Sequence, residues 1–217
     1  MAITTLEEIR CACGEVFESE VYQSVSAQKN PELKEAILSG EFNIVFCTEC
    51  KQPLHVDKML LYHDADQQLL AFVYPKDLQA KKEEFTKNMQ QNFVDLQASL
   101  VEDERFAYKP FLIFGLDDLC TLIRLEEEIE IESEIAESLC GVLGLSFKKI
   151  HLDSARRKNM MPLLPYVPGA SGDFKMQIIE GLKEMLETNP LLAQYKKLLD
   201  HLESGAAVEL EDSDFVV

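Results

Sequence analysis

The 217-residue chain is short of positive charge: 21 Lys and Arg stand against 39 Asp and Glu, a formal charge of −18 with neutral histidines. Such a balance repels phosphate backbones and anionic lipid, so nucleic acid is not an expected partner. Long apolar runs are lacking too. No stretch approaches the roughly 20 residues that cross a bilayer, and the opening Met1-Ala2-Ile3-Thr4-Thr5-Leu6 has no basic region ahead of an apolar one. The expectation is a cytoplasmic protein without a membrane partner. Histidine is scarce, with four in all. An HD-type metallohydrolase needs more His and Asp ligands than His55, His63, His151 and His201 supply, and a zinc deaminase needs a His-x-Glu ahead of its cysteines, whereas no histidine precedes Cys47. Phosphate-cradling glycine loops are missing as well: Gly141-Val142-Leu143-Gly144 and Ser171-Gly172 fit no such signature and read as helix ends. With 47% apolar residues and no repeat or low-complexity tract, the chain has material for a real core.

What is present divides into three stretches. Residues 1–78 hold four of the six cysteines and strand-like alternation at 16–22 and 42–46. Between these runs Asn30-Pro31 opens a helix with Leu33, Ile37 and Leu38 on its apolar face, and Gly40 ends it. Apolar runs at 54–62 and 69–74 read as a hairpin whose loop is His63 to Gln68, closed by Pro75. Residues 79–207 read as a mainly helical domain. Phe85, Met89, Phe93, Leu96 and Leu100 have helical spacing from Lys76 to Val101, and 111–116 is a short strand or buried connection. Leu119, Ile123, Ile135, Leu139 and Leu143 mark another helix, within which Glu126 to Glu132 also alternates as a strand would. Runs at 147–152 and 160–167 suggest a hairpin around Arg156-Arg157-Lys158, with Pro162 and Pro165 confining the second run to an edge. Two helices close the domain, one from Asp173 and one from Asn189-Pro190 to Gly205. Residues 208–217 are an acidic tail, either frayed or acting as a docking peptide.

The chemistry concentrates in Cys11-Ala12-Cys13-Gly14 and Cys47-Thr48-Glu49-Cys50. Cytosolic thiols stay reduced, so clustered ones point to a metal or a redox centre rather than a structural disulfide. Zinc takes four soft ligands in a tetrahedron, which two short cysteine turns provide. Gly14 allows a positive φ that turns amides towards the sulfurs, while the single residue between Cys11 and Cys13 demands a tight turn. Four thiolates fill the zinc shell and leave no place for a water nucleophile, so the expected Zn2+ is structural, on Cys11, Cys13, Cys47 and Cys50. The competing reading is a thiol pair cycling through disulfides. No Lys or Arg flanks Cys47, and the Glu49 charge would raise its pKa, so the zinc reading leads. Cys120 and Cys140 sit at apolar positions and read as small core residues.

In order, Cys11-Ala12-Cys13-Gly14, Asn30-Pro31-Glu32-Leu33-Lys34, the stretch from Ile37 to Asn43, Cys47-Thr48-Glu49-Cys50 and Leu60-Leu61-Tyr62-His63-Asp64 resemble the CpXC domain family, prokaryotic proteins named for their cysteine motif. The resemblance covers roughly residues 5–75, and the first pair departs from Cys-Pro-x-Cys by one residue fewer and no proline. It implies a bacterial or archaeal cytosolic protein with a zinc-ribbon-like module, and it carries no reaction. His63 and Asp64 fall on the closing motif: His63 caps a loop, touches the metal shell, or serves as a base oriented by Asp64 or Asp66, with the loop cap preferred.

The expected fold class is therefore α+β, a zinc-ribbon-like β module with one inserted helix followed by a mainly helical second half. The expected function is a non-enzymatic, zinc-stabilised interaction module. Its second half, with nine acids against Arg124 between residues 117 and 137, would contact a protein with a basic surface. The alternative is a thiol redox switch or zinc-dependent enzyme using the same cysteines. Oligomeric state is not legible in this pattern.

Overall fold

The computed structural model describes residues 2–102, 105–169, 173–205 and 208–216; the reading of Ser171-Gly172 as a helix end lies outside them. The chain forms two compact units, Met1–Ile123 and Arg124–Val217.

The first unit is built on a sheet of order β1-β2-β5-β6-β7. Strands β1 (Ile3–Arg10) and β2 (Val16–Ser26) make an antiparallel ribbon, and the end of β2 pairs in parallel with β5 (Leu60–Asp64). Strand β5 forms the expected hairpin with β6 (Leu69–Tyr74), and β6 pairs in parallel with β7 (Phe111–Phe114). Between β2 and β5 lie helix α1 (Pro31–Ser39) and a separate hairpin of β3 (Ile44–Phe46) and β4 (Pro53–His55). Helix α1 starts at the proline and stops at Gly40, whose φ of 77° lets its N–H turn back to helix carbonyls. The apolar run 54–62 is thus not one strand: its two ends belong to different sheets.

Strand β6 is buried at all six positions, Leu69-Leu70-Ala71-Phe72-Val73-Tyr74, as a central strand covered on both faces must be. Leu69, Ala71 and Val73 join α1 through Leu33 and Ile37 and helix α3 (Leu116–Leu143) through Leu119 and Ile123. On the opposite face Leu70, Phe72 and Tyr74 meet Met89, Phe85 and Phe93 of α2 (Lys82–Ser99). A 3-10 turn at Lys76–Lys81 precedes α2, so the helix begins later than its spacing suggested. Because β7, α2 and the first turns of α3 complete this sheet and its covering, the unit runs past residue 78 to Ile123. Glu126 to Glu132 is helical throughout, with Ile131 exposed.

The second unit packs α5 (Phe174–Thr188) and α6 (Ala193–Glu203) with β8 (Ser146–Lys149) and β9 (Leu163–Tyr166). The two strands pair as expected, but a short helix α4 (Leu152–Arg157) fills much of their connection. Asp173 caps α5 by accepting the Met176 N–H. Helix α6 begins beyond Pro190, since the Asn189 side chain takes the Leu191 N–H and leaves Leu191 exposed. Ile178, Leu182, Met185 and Tyr195 are fully buried with Ala136 and Cys140 of α3; Cys120 is only half-buried. Several acids of α3 work inside this unit. Glu126 holds Arg156, and the Glu132 carboxylate accepts the Gln194 and Tyr195 N–H groups at the start of α6. The tail is not frayed over 208–216: it lies on its own unit, with a 3-10 turn at Asp212–Asp214 and a bridge from Phe215 to Ile150.

Candidate metal centre

The first pair of cysteines occupies the turn between β1 and β2. Cys11 N–H donates to the Glu15 carbonyl at 2.8 Å, Gly14 N–H donates to the Cys11 carbonyl at 3.0 Å, and Gly14 has a φ of 96°. The second pair occupies the turn between β3 and β4. There Cys47 N–H donates to the Gln52 carbonyl at 3.0 Å, Lys51 N–H to the Cys47 carbonyl at 3.1 Å, and Lys51 has a φ of 59°. Both turns place a left-handed residue directly after their second cysteine. The first is one residue tighter at each hydrogen bond, which is how a Cys-x-Cys spacing does the work of Cys-x-x-Cys. Lys51 escaped sequence reasoning because a lysine does not announce this backbone as glycine does; its position after Cys50 is the signal.

A small core holds the hairpins against each other: Ile9 and Val21 from one, Val45 and Val56 from or beside the other, with Phe17 and Leu54 alongside. The four sulfurs therefore converge. Cys11 Sγ lies 3.6 Å from Cys50 Sγ, Cys13 Sγ lies 3.6 Å from Cys47 Sγ, and all four are within 4.8 Å of one another. A disulfide would bring a pair to about 2.05 Å, whereas sulfurs about 2.3 Å from a shared tetrahedral ion stand roughly 3.8 Å apart. The set thus fits a metal ion.

Backbone amides face the sulfurs. Cys47 is lowered to about 7: burial pushes its thiol up, but N–H groups of Cys50 and Glu49 and the neighbouring thiols of Cys11 and Cys50 outweigh it. Here the peptide N–H of Glu49 favours the thiolate, against the expectation drawn from its carboxylate. The Cys13 N–H favours a Cys11 thiolate, yet burial and the surrounding thiols push Cys11 up to about 12. Cys13 is raised in the same manner despite the Glu15 N–H and the Cys11 thiol. The turn amides thus favour the thiolate form at Cys47 over those at Cys11 and Cys13.

His63 and Asp64 lie on β5 rather than in the loop, which spans 65–68. His63 Nε2 is 2.7 Å from the Tyr108 hydroxyl, and its ring meets Phe106 edge-on at 5.0 Å. Burial lowers its pKa, the Asp64 charge opposes this and Lys29 adds to it. Asp64 is buried and accepts from Gln28 Nε2 at 2.7 Å and the Gln67 N–H at 3.2 Å, bracing the β5–β6 turn. Among the described residues the metal-capable group consists of the four cysteines, without His63 or Asp64. Nothing in the sequence pattern marked Tyr108 as the partner of His63.

No curated protein and no solved structure matches the chain. A family model described as CpXC protein matches residues 9–137, beginning just before Cys11 and reaching well beyond residues 5–75 to take in α2, β7 and much of α3. With the cysteine turns in place and the match covering more than half of its length, the chain belongs to the CpXC family.

Proposed function

We propose that the chain is a zinc-stabilised protein-interaction module of the bacterial cytoplasm with no catalysis of its own, its zinc held by Cys11, Cys13, Cys47 and Cys50. The observation that carries this reading is the convergence of four sulfurs within 4.8 Å at two hairpin turns whose amides face them. An all-sulfur tetrahedral donor set suits zinc over harder cations, and a closed shell ties the hairpins together without an open position for substrate. Beneath it sit few apolar side chains, so the metal contributes stability that this small core lacks. On the outer face of α3, exposed Glu130, Ile131 and Glu134 combine acid with apolar surface. A protein with a basic, partly apolar surface is the complementary partner.

A thiol switch is the second reading, favoured by the two 3.6 Å sulfur pairs and the low pKa of Cys47. Elemental analysis of chelator-free protein, paired with thiol counting before and after denaturation in EDTA, separates the two. One zinc per chain with four thiols protected until denaturation is the expected result. No metal, with four thiols reacting in the native state, overturns it in favour of the switch.

A further inference from the structure

Basic residues are scarce in this chain, yet Lys148, Lys149, Arg156, Arg157 and Lys158 fall close together between β8 and the end of α4. Arg156 is held by Glu126, Arg157 by Asp153 and Lys149 by Glu137. Lys148 and Lys158 are turned instead onto residues 209–216. Lys158 Nζ donates to the Asp214 carboxylate and to the Glu209 carbonyl, the latter at 2.7 Å. Lys148 Nζ stands 4.5 Å from the centre of the Phe215 ring and 5.0 Å from that of Phe174. His151 N–H donates to the Asp214 carbonyl and Val216 N–H to the Lys149 carbonyl, both at 2.9 Å, so the segment pairs like a short extra strand beside β8.

Peptides that join the edge of a sheet are recognised in this way, with backbone pairing for affinity and a few side chains for specificity. Apolar contact adds to this, because Val208, Leu210 and Phe215 pack half-buried against the core beneath, but the segment is otherwise open. Asp214 is its only buried residue over 208–216, Val216 is 48% exposed, and Glu209, Glu211, Asp212 and Ser213 face solvent. A strip whose apolar side chains are only half-buried and whose acids are mostly exposed opens at lower free energy than the fully buried helices beneath it. Beside it lies a cavity of about 520 Å³ lined by Phe147, Lys148, Lys149, Asp212, Phe215 and Val216.

We propose that the groove formed by the β8 edge, Lys148, Lys158 and Phe174 is a docking site for an extended acidic peptide with an Asp-Phe core, supplied by a partner protein, and that residues 209–216 occupy it as a competing internal ligand. Charge complementarity selects this occupant: the groove presents two lysines in a chain that is acidic elsewhere, and the internal ligand presents an Asp-Phe pair among acids.

The test uses the full chain and a fluorescein-labelled peptide with the sequence of residues 209–216, read by fluorescence anisotropy. A chain carrying Asp214→Asn and Phe215→Ala, which weakens the internal ligand and leaves the groove intact, should bind the peptide at least tenfold more tightly than the unaltered chain. Adding Lys158→Met should abolish that gain. Equal binding by the unaltered and doubly substituted chains, with matching circular dichroism, overturns the proposal. A measurement on the unaltered chain guards against a folding defect: the His151 and Val216 amides should exchange with deuterium faster than the Leu182 amide inside α5. Exchange of all three at one common rate would make the segment an inseparable part of the fold and overturn the proposal. A concentration-dependent dimer abolished by the double substitution would make a second copy the occupant and equally overturn it.

Discussion

Arg156 and Glu126 meet with side chains 8% and 6% exposed and two hydrogen bonds of 2.7 and 2.9 Å. A pair this enclosed adds little net stability against an apolar replacement, but removing one member strands the other charge where water cannot reach it. Arg156→Met should destabilise the second unit by about 3–5 kcal/mol, measured by urea unfolding with a probe in that unit. Combining it with Glu126→Met should restore much of the loss, and an Arg156→Met chain as stable as the parent would show that Glu126 is hydrated after all. At this scale the four cysteines were legible because their type and spacing carry the chemistry. The influence of Glu49 was not, because it depends on which way a peptide N–H faces, and that follows from the turn. Asp64 was misplaced for a related reason. A carboxylate in a polar run reads as loop, whereas here the Gln28 amide, distant in sequence, allows it to be buried at a strand end.

Helix α5 crosses β9 at Gly181, where an added Cβ would come within 2.8 Å of the Tyr166 backbone and 2.9 Å of Pro165. Backbone atoms cannot swing aside as a flexible side chain can, so Gly181→Ala should cost about 1–3 kcal/mol through overpacking, despite alanine being the better helix former. Thermal melting checks this, and a raised midpoint would mean the helix and strand are free to separate. Helices with both ends marked were the most legible elements: α1 lies between Asn30-Pro31 and Gly40, and α5 starts at Asp173. Helix α6 was placed too early because Asn189-Pro190 resembles a helix start, while the Asn189 side chain is spent on a turn. Strand β1 went unread. Its sequence Ile3-Thr4-Thr5-Leu6-Glu7-Glu8-Ile9-Arg10 exposes Ile3 and Leu6 and buries only Ile9, so its apolar pattern is too thin to mark an inner face.

Over the whole chain, the α+β class and the clustered cysteines were legible, whereas the extent of the first unit was not. Composition changes at Pro75, but the sheet needs β7 from the far side of α2, and parallel pairing between β6 and β7 leaves no local trace. The unevenness of that unit leads to a prediction. The ribbon tip rests on Ile9, Val21, Val45 and Val56, while β5 and β6 are anchored in two larger cores. On the proposed zinc reading, a structural ion is associated with about 10–16 kcal/mol of apparent free energy, so chelation should deprotect the Cys47 and Val56 amides and leave those of Tyr62 and Phe72 protected in hydrogen exchange. Uniform deprotection would instead make the ribbon and the sheet a single cooperative body.

The same four thiols are also a reservoir of protons. Near neutral pH, Cys11, held near 12, and Cys13, raised above its ordinary value, keep their hydrogens, while Cys47, near 7, has partly surrendered its own. A cation that takes all four as thiolates must expel what they retain, so loading acidifies its surroundings and affinity climbs with pH until Cys11 itself ionises. Two hairpin turns that look like passive scaffolding would thereby exchange protons for metal, so that a fall in pH favours release of the ion.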